Sequence, residues 1–246
     1  MDEMMQTQAL YRDDAYAAAT PATVIESSEA GVLLDRSVFY PRAGGQPGDT
    51  GTLVWEGGAM PVADTVKASD GSPLHVPAPG APLPPPGTTV EARIDWTRRH
   101  RHMRMHTTLH LLCAAMPGIY ATGNQIGAEK SRLDFDLPEP PTKEWVTEKL
   151  NELIAGDHPI GERWITEAEL DANPGLVRTL SVQPPRGAGQ VRLVRIGPED
   201  APVDLQPCGG THVRRTGEIG RVEVLKMESK GKQNRRIHIV LAEDTP

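Results

Sequence analysis

This sequence has few cysteines, no long apolar run and no N-terminal pattern typical of a secretory signal, and each absence argues against a class of protein. Its 246 residues include only two cysteines, too few for a disulfide framework, which favours a reducing cytoplasm. Because no run of about eighteen apolar residues occurs, no membrane-spanning helix is expected. Residues 1–8 show no basic segment followed by an apolar core, so no secretory signal is predicted. Internal repeats are also absent.

Basic charge is not in excess overall, and the acidic excess is confined to the first part of the chain. Residues 1–94 hold 12 acidic and 5 basic residues, whereas residues 95–246 hold 21 of each. Two basic clusters stand out in the second part, at Arg98–Arg104 and at Lys226–Arg236. Such clusters can bind a phosphate backbone, although solvated surface is the simpler interpretation.

Short alternating segments before residue 95 predict a small β-barrel, with a helix possible only near Leu10–Ala18. The Pro-rich stretch from His75 to Gly87 is predicted to be neither helix nor central strand, and to form a loop or a linker. The predicted strands are Ala22–Glu26, Gly31–Asp35, Gly51–Trp55, Met60–Asp64 and Thr88–Asp95.

The second part predicts helices packed on a mainly antiparallel sheet, so the fold class is α+β. The expected domains are a β-barrel over residues 1–94 and an α+β domain over residues 95–246. A turn is expected at Ser229–Asn234. The predicted helices are Met103–Met116, Lys143–Ala155 and Glu167–Ala172, and the predicted strands are Ser131–Leu137, Ile160–Ile165, Val191–Ile196, Gly220–Glu228 and Arg235–Ala242.

The first of two candidate metal motifs is His106-Thr-Thr-Leu-His110. Residues four apart lie on one face of a helix, so the two imidazoles could bind one metal ion. The Glu of the His-Glu-x-x-His metalloprotease motif is missing, which removes that class's general base. A His-x-x-x-His pair is common by chance, and two half-buried helix histidines would give the same pattern.

The second motif is Cys208-Gly-Gly-Thr-His212, which Pro207 and the two glycines predict to be a loop. A thiolate with imidazoles is a donor set that suits zinc. His102 and Cys113 fall near the same helix face as the first motif, and periodicity does not exclude them as ligands. Cys113 is expected to be a small buried thiol, and His102 to be solvated or near a polyanion.

These motifs together resemble the editing domain of alanyl-tRNA synthetases and its free-standing relatives, the AlaX-type alanyl-tRNA editing proteins. The glycine-rich segment Phe39–Gly51 resembles a motif of the same family's N-terminal barrel. Asp95–Arg99, Arg104–Thr107 and Gly231–Ile237 also resemble family signatures. The resemblance covers residues 10 to 240 and fits the medium-length AlaX form, which has the barrel and the zinc domain only.

The resemblance implies one Zn²⁺ per chain, held by His106, His110, Cys208 and His212. It assigns catalysis to the metal site, with Cys208, His106 and His110 as the residues that carry it. Gly44, Gly45 and Gln46 become candidates for the editing pocket, and Asn234, Arg235 and Arg236 become weaker candidates for RNA contact. The implied partner is aminoacylated tRNA, specifically tRNA(Ala); DNA, membranes and an obligate protein partner are not expected.

The expected activity is deacylation of mischarged tRNA(Ala), with Ser-tRNA(Ala) as the first substrate and Gly-tRNA(Ala) as the second. A pocket shaped for alanine discriminates poorly against glycine and serine, so a second hydrolytic sieve is needed. Two alternatives stay open: a threonyl-tRNA-type editing hydrolase, and a noncatalytic RNA-binding module with structural zinc. Four protein ligands usually describe a structural zinc site. Either one ligand is displaced or stays distant when substrate or water binds, or zinc expands its coordination, or zinc only shapes the pocket. Cys208, on a glycine-flanked loop that could move, is the first candidate for displacement.

Overall fold

A computed structural model describes residues 7–179, 189–231 and 233–242, and the chain divides into two compact units, Met1–His100 and Arg101–Pro246. The first unit is built around a closed barrel of six antiparallel-paired strands in the order β2-β3-β7-β6-β5-β8. A short parallel pair, β1 and β4, accompanies the barrel. The strands are β1 (Gln8–Ala9), β2 (Ala19–Ser28), β3 (Gly31–Leu34), β4 (Arg36–Ser37), β5 (Gly51–Trp55), β6 (Gly58–Lys67), β7 (Pro73–Pro77) and β8 (Thr89–Ile94).

The predicted barrel is confirmed, and alternation along its strands explains it. Buried and exposed residues alternate through most of β2 and β8, so every second side chain enters the core. That core includes Val24, Leu34, Phe39, Leu53 and Met60. The helix considered near Leu10–Ala18 is reduced to a 3₁₀ turn at Leu10–Arg12.

The Pro-rich stretch was predicted wrongly only at its start, since residues 75–77 are strand and the rest is the expected loop. Its first residues, His75 to Pro77, belong to β7, which lies between β3 and β6. The prolines Pro73 and Pro77 stand at the two ends of the strand, where a missing amide proton interrupts the ladder least. Residues 78–88 form a loop within this unit, fastened by hydrogen bonds from Ala78 N to Pro61 O and from Gly87 N to Val24 O.

A buried ion pair joins the glycine-rich segment to the start of the first long helix. Both Asp49 and Arg99 have fully buried side chains. The Nε of Arg99 donates to Asp49 at 3.0 and 2.9 Å, and its Nη2 donates to Val38 O at 2.7 Å. Tyr40 N also donates to Asp49, at 2.7 Å. Two segments that carry the family resemblance, Phe39–Gly51 and Asp95–Arg99, are therefore tied together by structural contacts.

The second unit contains two antiparallel sheets, in the orders β14-β15-β10-β9 and β11-β12-β13. This arrangement of sheets and helices confirms the α+β class. Helix α2 begins at Lys143, where Thr142 Oγ1 accepts a hydrogen bond from Trp145 N at 3.2 Å. The strands are β9 (Ala121–Gln125), β10 (Lys130–Asp136), β11 (Ile160–Thr166), β12 (Gln190–Ile196), β13 (Asp204–Pro207), β14 (Val222–Ser229) and β15 (Asn234–Leu241), and the helices are α1 (Trp96–Ala115), α2 (Lys143–Ala155) and α3 (Glu167–Ala172).

Helix α1 begins seven residues before the predicted start, at Trp96 rather than Met103. Asp95 Oδ1 accepts a hydrogen bond from Arg98 N at 3.0 Å and so caps the first turn. The basic run is therefore helical, and most of it is not solvated: Arg99, His102 and Arg104 are all buried. The expectation that His102 is solvated or near a polyanion was wrong, because helix packing removes it from the surface.

Among the described residues, no helix has both the length and the apolar character that crossing a bilayer requires.

Candidate metal centre

Helix α1 supplies the first two side chains of the candidate site. His106 and His110 are one helical turn apart, and their ring centroids lie 5.3 Å from each other. Both residues are buried, with about 6% and 5% of their surface exposed. The helix therefore places two imidazoles side by side in the interior of the second unit, as their spacing predicted.

The loop that follows β13 supplies the other two side chains, and Arg192 of β12 holds this loop. Cys208 N donates to Arg192 O at 3.1 Å. The Arg192 Nη1 donates to Cys208 O at 2.8 Å and to Gly210 O at 3.0 Å. Gly210 N lies 3.4 Å from Cys208 Sγ and donates to it. The loop is thus fixed on both sides of the thiol, and these contacts argue against the predicted movement of the loop.

The four side chains His106, His110, Cys208 and His212, called the His–Cys cluster below, converge. Their ligand atoms all lie within 4.8 Å of one another. The Sγ of Cys208 is 3.4 Å from His106 Nε2 and 3.3 Å from His212 Nε2. A tetrahedral zinc ion with ordinary bond lengths requires sulfur–nitrogen separations of about 3.5 Å. The cluster could therefore hold a metal ion, and its thiol and imidazole donors fit zinc.

The electrostatic environment of Cys208 favours the form of the side chain that binds metals. Burial raises the pKa of the Cys208 thiol, but electrostatic interactions and hydrogen bonding with the neighbouring histidines outweigh burial and hold this pKa well below its usual range. Burial and the neighbouring His106 hold the pKa of His212 well below its usual range. The thiolate and a neutral His212 are the ligand forms that zinc needs.

His110 behaves differently from His212. Burial lowers its pKa, but hydrogen bonds to Asp204 and Cys208 outweigh burial and raise the pKa to about 10. A metal ion that binds His110 therefore has to displace a proton, so metal uptake is linked to pH.

Three polar residues around the cluster were missed by the sequence reasoning. Asp204 Oδ2 lies 2.9 Å from His110 Nδ1, and Gln206 Nε2 donates to the same oxygen at 2.8 Å. Thr107 Oγ1 lies 3.1 Å from His212 Nδ1. The available signal was the alternation in β13, where Asp204 and Gln206 occupy the buried positions that an apolar pair would normally fill.

The rival ligands His102 and Cys113 are not in the His–Cys cluster found among the described residues. Both are buried. Burial raises the pKa of Cys113 to about 12, which keeps this side chain a neutral thiol. Cys113 is therefore a small buried thiol, as expected, and a poor zinc ligand.

The candidate pocket residues of the barrel unit form a tight turn. Gly44 and Gly45 have φ values of 57° and 87°, and Ala43 and Gln46 exchange two backbone hydrogen bonds across them. Only glycine adopts both conformations without strain. The two glycines are exposed and Gln46 is buried.

The candidate RNA-contact residues lie at the start of β15 and are half-buried. Arg236 donates to the Asp134 carboxylate at 2.8 and 2.7 Å. Arg235 donates to Pro138 O at 2.9 Å. Asn234 O accepts from Lys230 N at 2.8 Å and so helps to close the predicted turn. Within the same basic cluster, Lys226 pairs with Glu228, and Lys232 lies outside the described residues.

Comparison with known proteins covers both units. Residues 191–238 match the family model for the threonyl and alanyl tRNA synthetase second additional domain, and residues 5–98 match the model for class II (A) tRNA synthetases.

Full-length relatives extend this match to nearly the whole chain. A Methanosarcina mazei protein named alanyl-tRNA editing protein AlaX-M is 37% identical over 247 residues, which cover 96% of each chain. A Methanosarcina barkeri protein of the same name is also 37% identical, covering 96% of this chain and all of the relative. An alanine–tRNA ligase of Pyrobaculum calidifontis is 34% identical over 92% of this chain but only 26% of the ligase. The chain therefore belongs to the AlaX-M family of alanyl-tRNA editing proteins.

Proposed function

We propose that this chain is a zinc-dependent, free-standing editing hydrolase that deacylates mischarged tRNA(Ala). Ser-tRNA(Ala) is its first substrate and Gly-tRNA(Ala) its second. The observation that carries the proposal is the buried convergence of one thiol and three imidazoles. It occurs in a chain that matches proteins named AlaX-M over nearly its whole length.

The bond to be broken is the ester that joins the amino acid to the terminal ribose of the tRNA. A zinc ion held by His106, His110, Cys208 and His212 would supply Lewis acidity for water activation or carbonyl polarisation, or a binding point for the amino group or hydroxyl of serine. The surrounding residues keep bulk water away, because the three histidines are each about 5–6% exposed. In such a low-dielectric interior, electrostatic interactions with the reacting groups are strong.

Cys208 remains the ligand proposed to give way to substrate or water. It is the only half-buried member of the His–Cys cluster, and the other three are buried. Since Arg192 holds the backbone of its loop, this change involves the side chain rather than the loop. His106 and His110, fixed on helix α1, complete the catalytic set.

Contacts with the tRNA and the cellular location belong to the same proposal. The turn at Gly44, Gly45 and Gln46 would line the editing pocket, and Asn234, Arg235 and Arg236 would contact RNA. The exposure of the two glycines is compatible with this role. Arg235 already donates to Pro138 O and Arg236 to the Asp134 carboxylate, so both guanidinium groups have fewer donors available for RNA. A cytoplasmic location is proposed because an intact thiol at Cys208 requires a reducing compartment.

The decisive experiment measures ester hydrolysis on charged tRNA(Ala). Ser-tRNA(Ala), Gly-tRNA(Ala) and Ala-tRNA(Ala) are each incubated with the full chain, before and after zinc removal by a chelator and after zinc is restored. We expect rapid loss of the seryl ester, slower loss of the glycyl ester and preservation of the alanyl ester. Zinc removal should stop hydrolysis, and restored zinc should return it.

Four results would count against all or part of the proposal. Equal hydrolysis of seryl and alanyl esters would remove the editing role. Binding of tRNA without turnover would indicate a noncatalytic RNA-binding module. With Ser-tRNA(Thr) added as a fourth substrate, a preference for it over Ser-tRNA(Ala) would indicate threonyl-type editing. Activity that survives complete zinc removal would leave the hydrolase but overturn its zinc dependence.

A further inference from the structure

Each imidazole of the His–Cys cluster must present an unprotonated nitrogen if it is to bind a metal. A neutral imidazole carries one proton, so the nitrogen that faces away from the metal must keep that proton and donate it to an acceptor. The identity of that acceptor decides which nitrogen is free. For two of the three histidines, the structure shows an acceptor whose role could not be predicted from the sequence motifs.

Asp204 is the acceptor for His110. Its Oδ2 lies 2.9 Å from His110 Nδ1, and Gln206 Nε2 donates to the same oxygen at 2.8 Å. A carboxylate oxygen can only accept, so Nδ1 keeps its proton and Nε2 is the nitrogen that can bind the metal once its own proton is displaced. The other oxygen of Asp204 is buried and has no hydrogen-bond partner in the described part of the chain. Burying this carboxylate beside the histidine therefore costs desolvation free energy. A purely structural role for Asp204 does not explain that cost.

Thr107 is the acceptor for His212, because the single proton of the Thr107 hydroxyl is donated elsewhere. The hydroxyl lies 2.9 Å from Met103 O, one turn back on α1, and a carbonyl oxygen can only accept. The proton of Thr107 is therefore used there. The 3.1 Å contact with His212 Nδ1 must then run from the imidazole N–H to the hydroxyl oxygen. His212 Nε2, which lies 3.3 Å from Cys208 Sγ, is left free inside the cluster.

We propose that Asp204 and Thr107 are positioning residues, which hold His110 and His212 in the tautomer and orientation that present Nε2 to the metal. The proposal rests on the zinc site of the proposed function. Outer-shell partners of this kind typically change metal affinity by about 10- to 100-fold when they are removed.

The test uses a pair of neighbouring threonines on the same helix. Thr107 and Thr108 are both buried, and each hydroxyl donates to a backbone carbonyl one turn back, at 2.9 and 2.8 Å. In the described part of the chain, Thr107 Oγ1 also contacts a cluster histidine, whereas Thr108 Oγ1 bonds to the helix carbonyl of Arg104. Thr107→Val therefore removes the helix bond, the histidine contact and the acceptor of a long 3.4 Å hydrogen bond from Val213 N, whereas Thr108→Val removes the helix bond alone. Thr107→Ser retains the hydroxyl.

The measurement is zinc affinity by competition with a coloured chelator, together with the visible spectrum of the Co²⁺-substituted protein. We expect Thr107→Val to bind zinc about 10- to 100-fold more weakly and to shift the Co²⁺ bands. Thr107→Ser and Thr108→Val should stay within about threefold of the original chain. Asp204→Asn, which preserves the shape of Asp204 but removes its charge, should also lose about 10-fold or more.

Two outcomes would overturn the inference. One is original affinity in both Thr107→Val and Asp204→Asn; the other is an equal loss in Thr107→Val and Thr108→Val. If Asp204→Asn does not fold, the threonine pair alone decides. These outcomes are distinguishable from failure of the proposed function, because the unaltered chain is titrated first. No zinc binding there would remove the zinc site itself.

Discussion

At the scale of single residues, His75 shows how burial can fix a protonation state. Its ring is fully buried in the barrel unit, with Nδ1 2.8 Å from Val32 O and Nε2 2.8 Å from Ser37 Oγ. A neutral imidazole satisfies both partners, because Nδ1–H donates to the carbonyl and Nε2 accepts from the hydroxyl. Burial lowers the pKa of His75 from 6.5 to about 4.

This shift predicts acid sensitivity. Because the pKa is lower in the folded state, His75 contributes its full stability above pH 6.5, and this contribution is lost as the pH falls from 6.5 towards 4. The expected loss is about 3 kcal/mol. Urea unfolding of the original chain and of His75→Gln, at about pH 7 and about pH 4, measures it. Parallel losses in the two proteins would show that other groups cause the acid sensitivity.

Cys208 carries a second residue-scale prediction, on activity. Cys208→Ala removes the thiolate ligand, so deacylation of Ser-tRNA(Ala) and bound zinc should both fall to background. Cys113→Ala is the matched control, since it also removes one cysteine but leaves the cluster intact; it should retain zinc and turnover. Unchanged turnover by Cys208→Ala at normal zinc content would show that Cys208 is not a working ligand.

At the scale of elements, the Asp49–Arg99 pair joins the first turn of α1 to the glycine-rich segment. Arg99→Met leaves the Asp49 carboxylate buried and unpaired, which should cost about 3–5 kcal/mol of unfolding free energy. Lys149→Ala is the control, because its pair with Glu152 lies on the surface. That change should cost less than about 1 kcal/mol. Circular dichroism during urea unfolding measures both, and equal costs would contradict the structural role of the buried pair.

Helices and strands with a clear periodic pattern of apolar and polar residues could be predicted from the sequence. Those whose conformation depends on long-range strand pairing could not. Helix α2 has an apolar face, a Thr142 cap and a predicted range that the structure reproduces. Strands β7 and β9 were missed because their side chains do not alternate between apolar and polar, and the short β13 was missed because polar residues occupy its buried positions. Their partners in the sheets, not their own sequences, decide their conformation.

The candidate site shows the same division between local and long-range information. The four residues of the His–Cys cluster were predicted from two motifs and a family resemblance, and the structure brings them together. Asp204 and Thr107 could not be predicted, because their roles depend on contacts across 94 and 105 residues of sequence. Arg99 was assigned to a basic surface, since the sequence gives no sign that Asp49 lies beside it.

At the scale of the whole molecule, zinc binding and folding should be linked. A site whose ligands come from α1 and from the loop after β13 exists only in the folded chain, so zinc binds the folded state preferentially. Free zinc at about a thousand times its dissociation constant should stabilise the fold by about 4 kcal/mol. Chelation should therefore lower the Tm of the original chain, measured by differential scanning calorimetry, but not that of Cys208→Ala. An unchanged Tm after verified zinc removal would contradict this linkage.

The buried carboxylate of Asp204 also has a consequence for which ions the protein accepts. With the Cys208 thiolate it places two negative charges in an interior that solvates charge poorly, and once a metal has displaced the proton of His110, both are cancelled only by an ion of valence two. A monovalent copper ion suits the same soft donors but would leave one negative charge uncompensated. We therefore expect Asp204 to favour a divalent ion by charge, as the thiol and imidazoles favour zinc by donor type, although Asp204 contacts only the His110 nitrogen that faces away from the metal site.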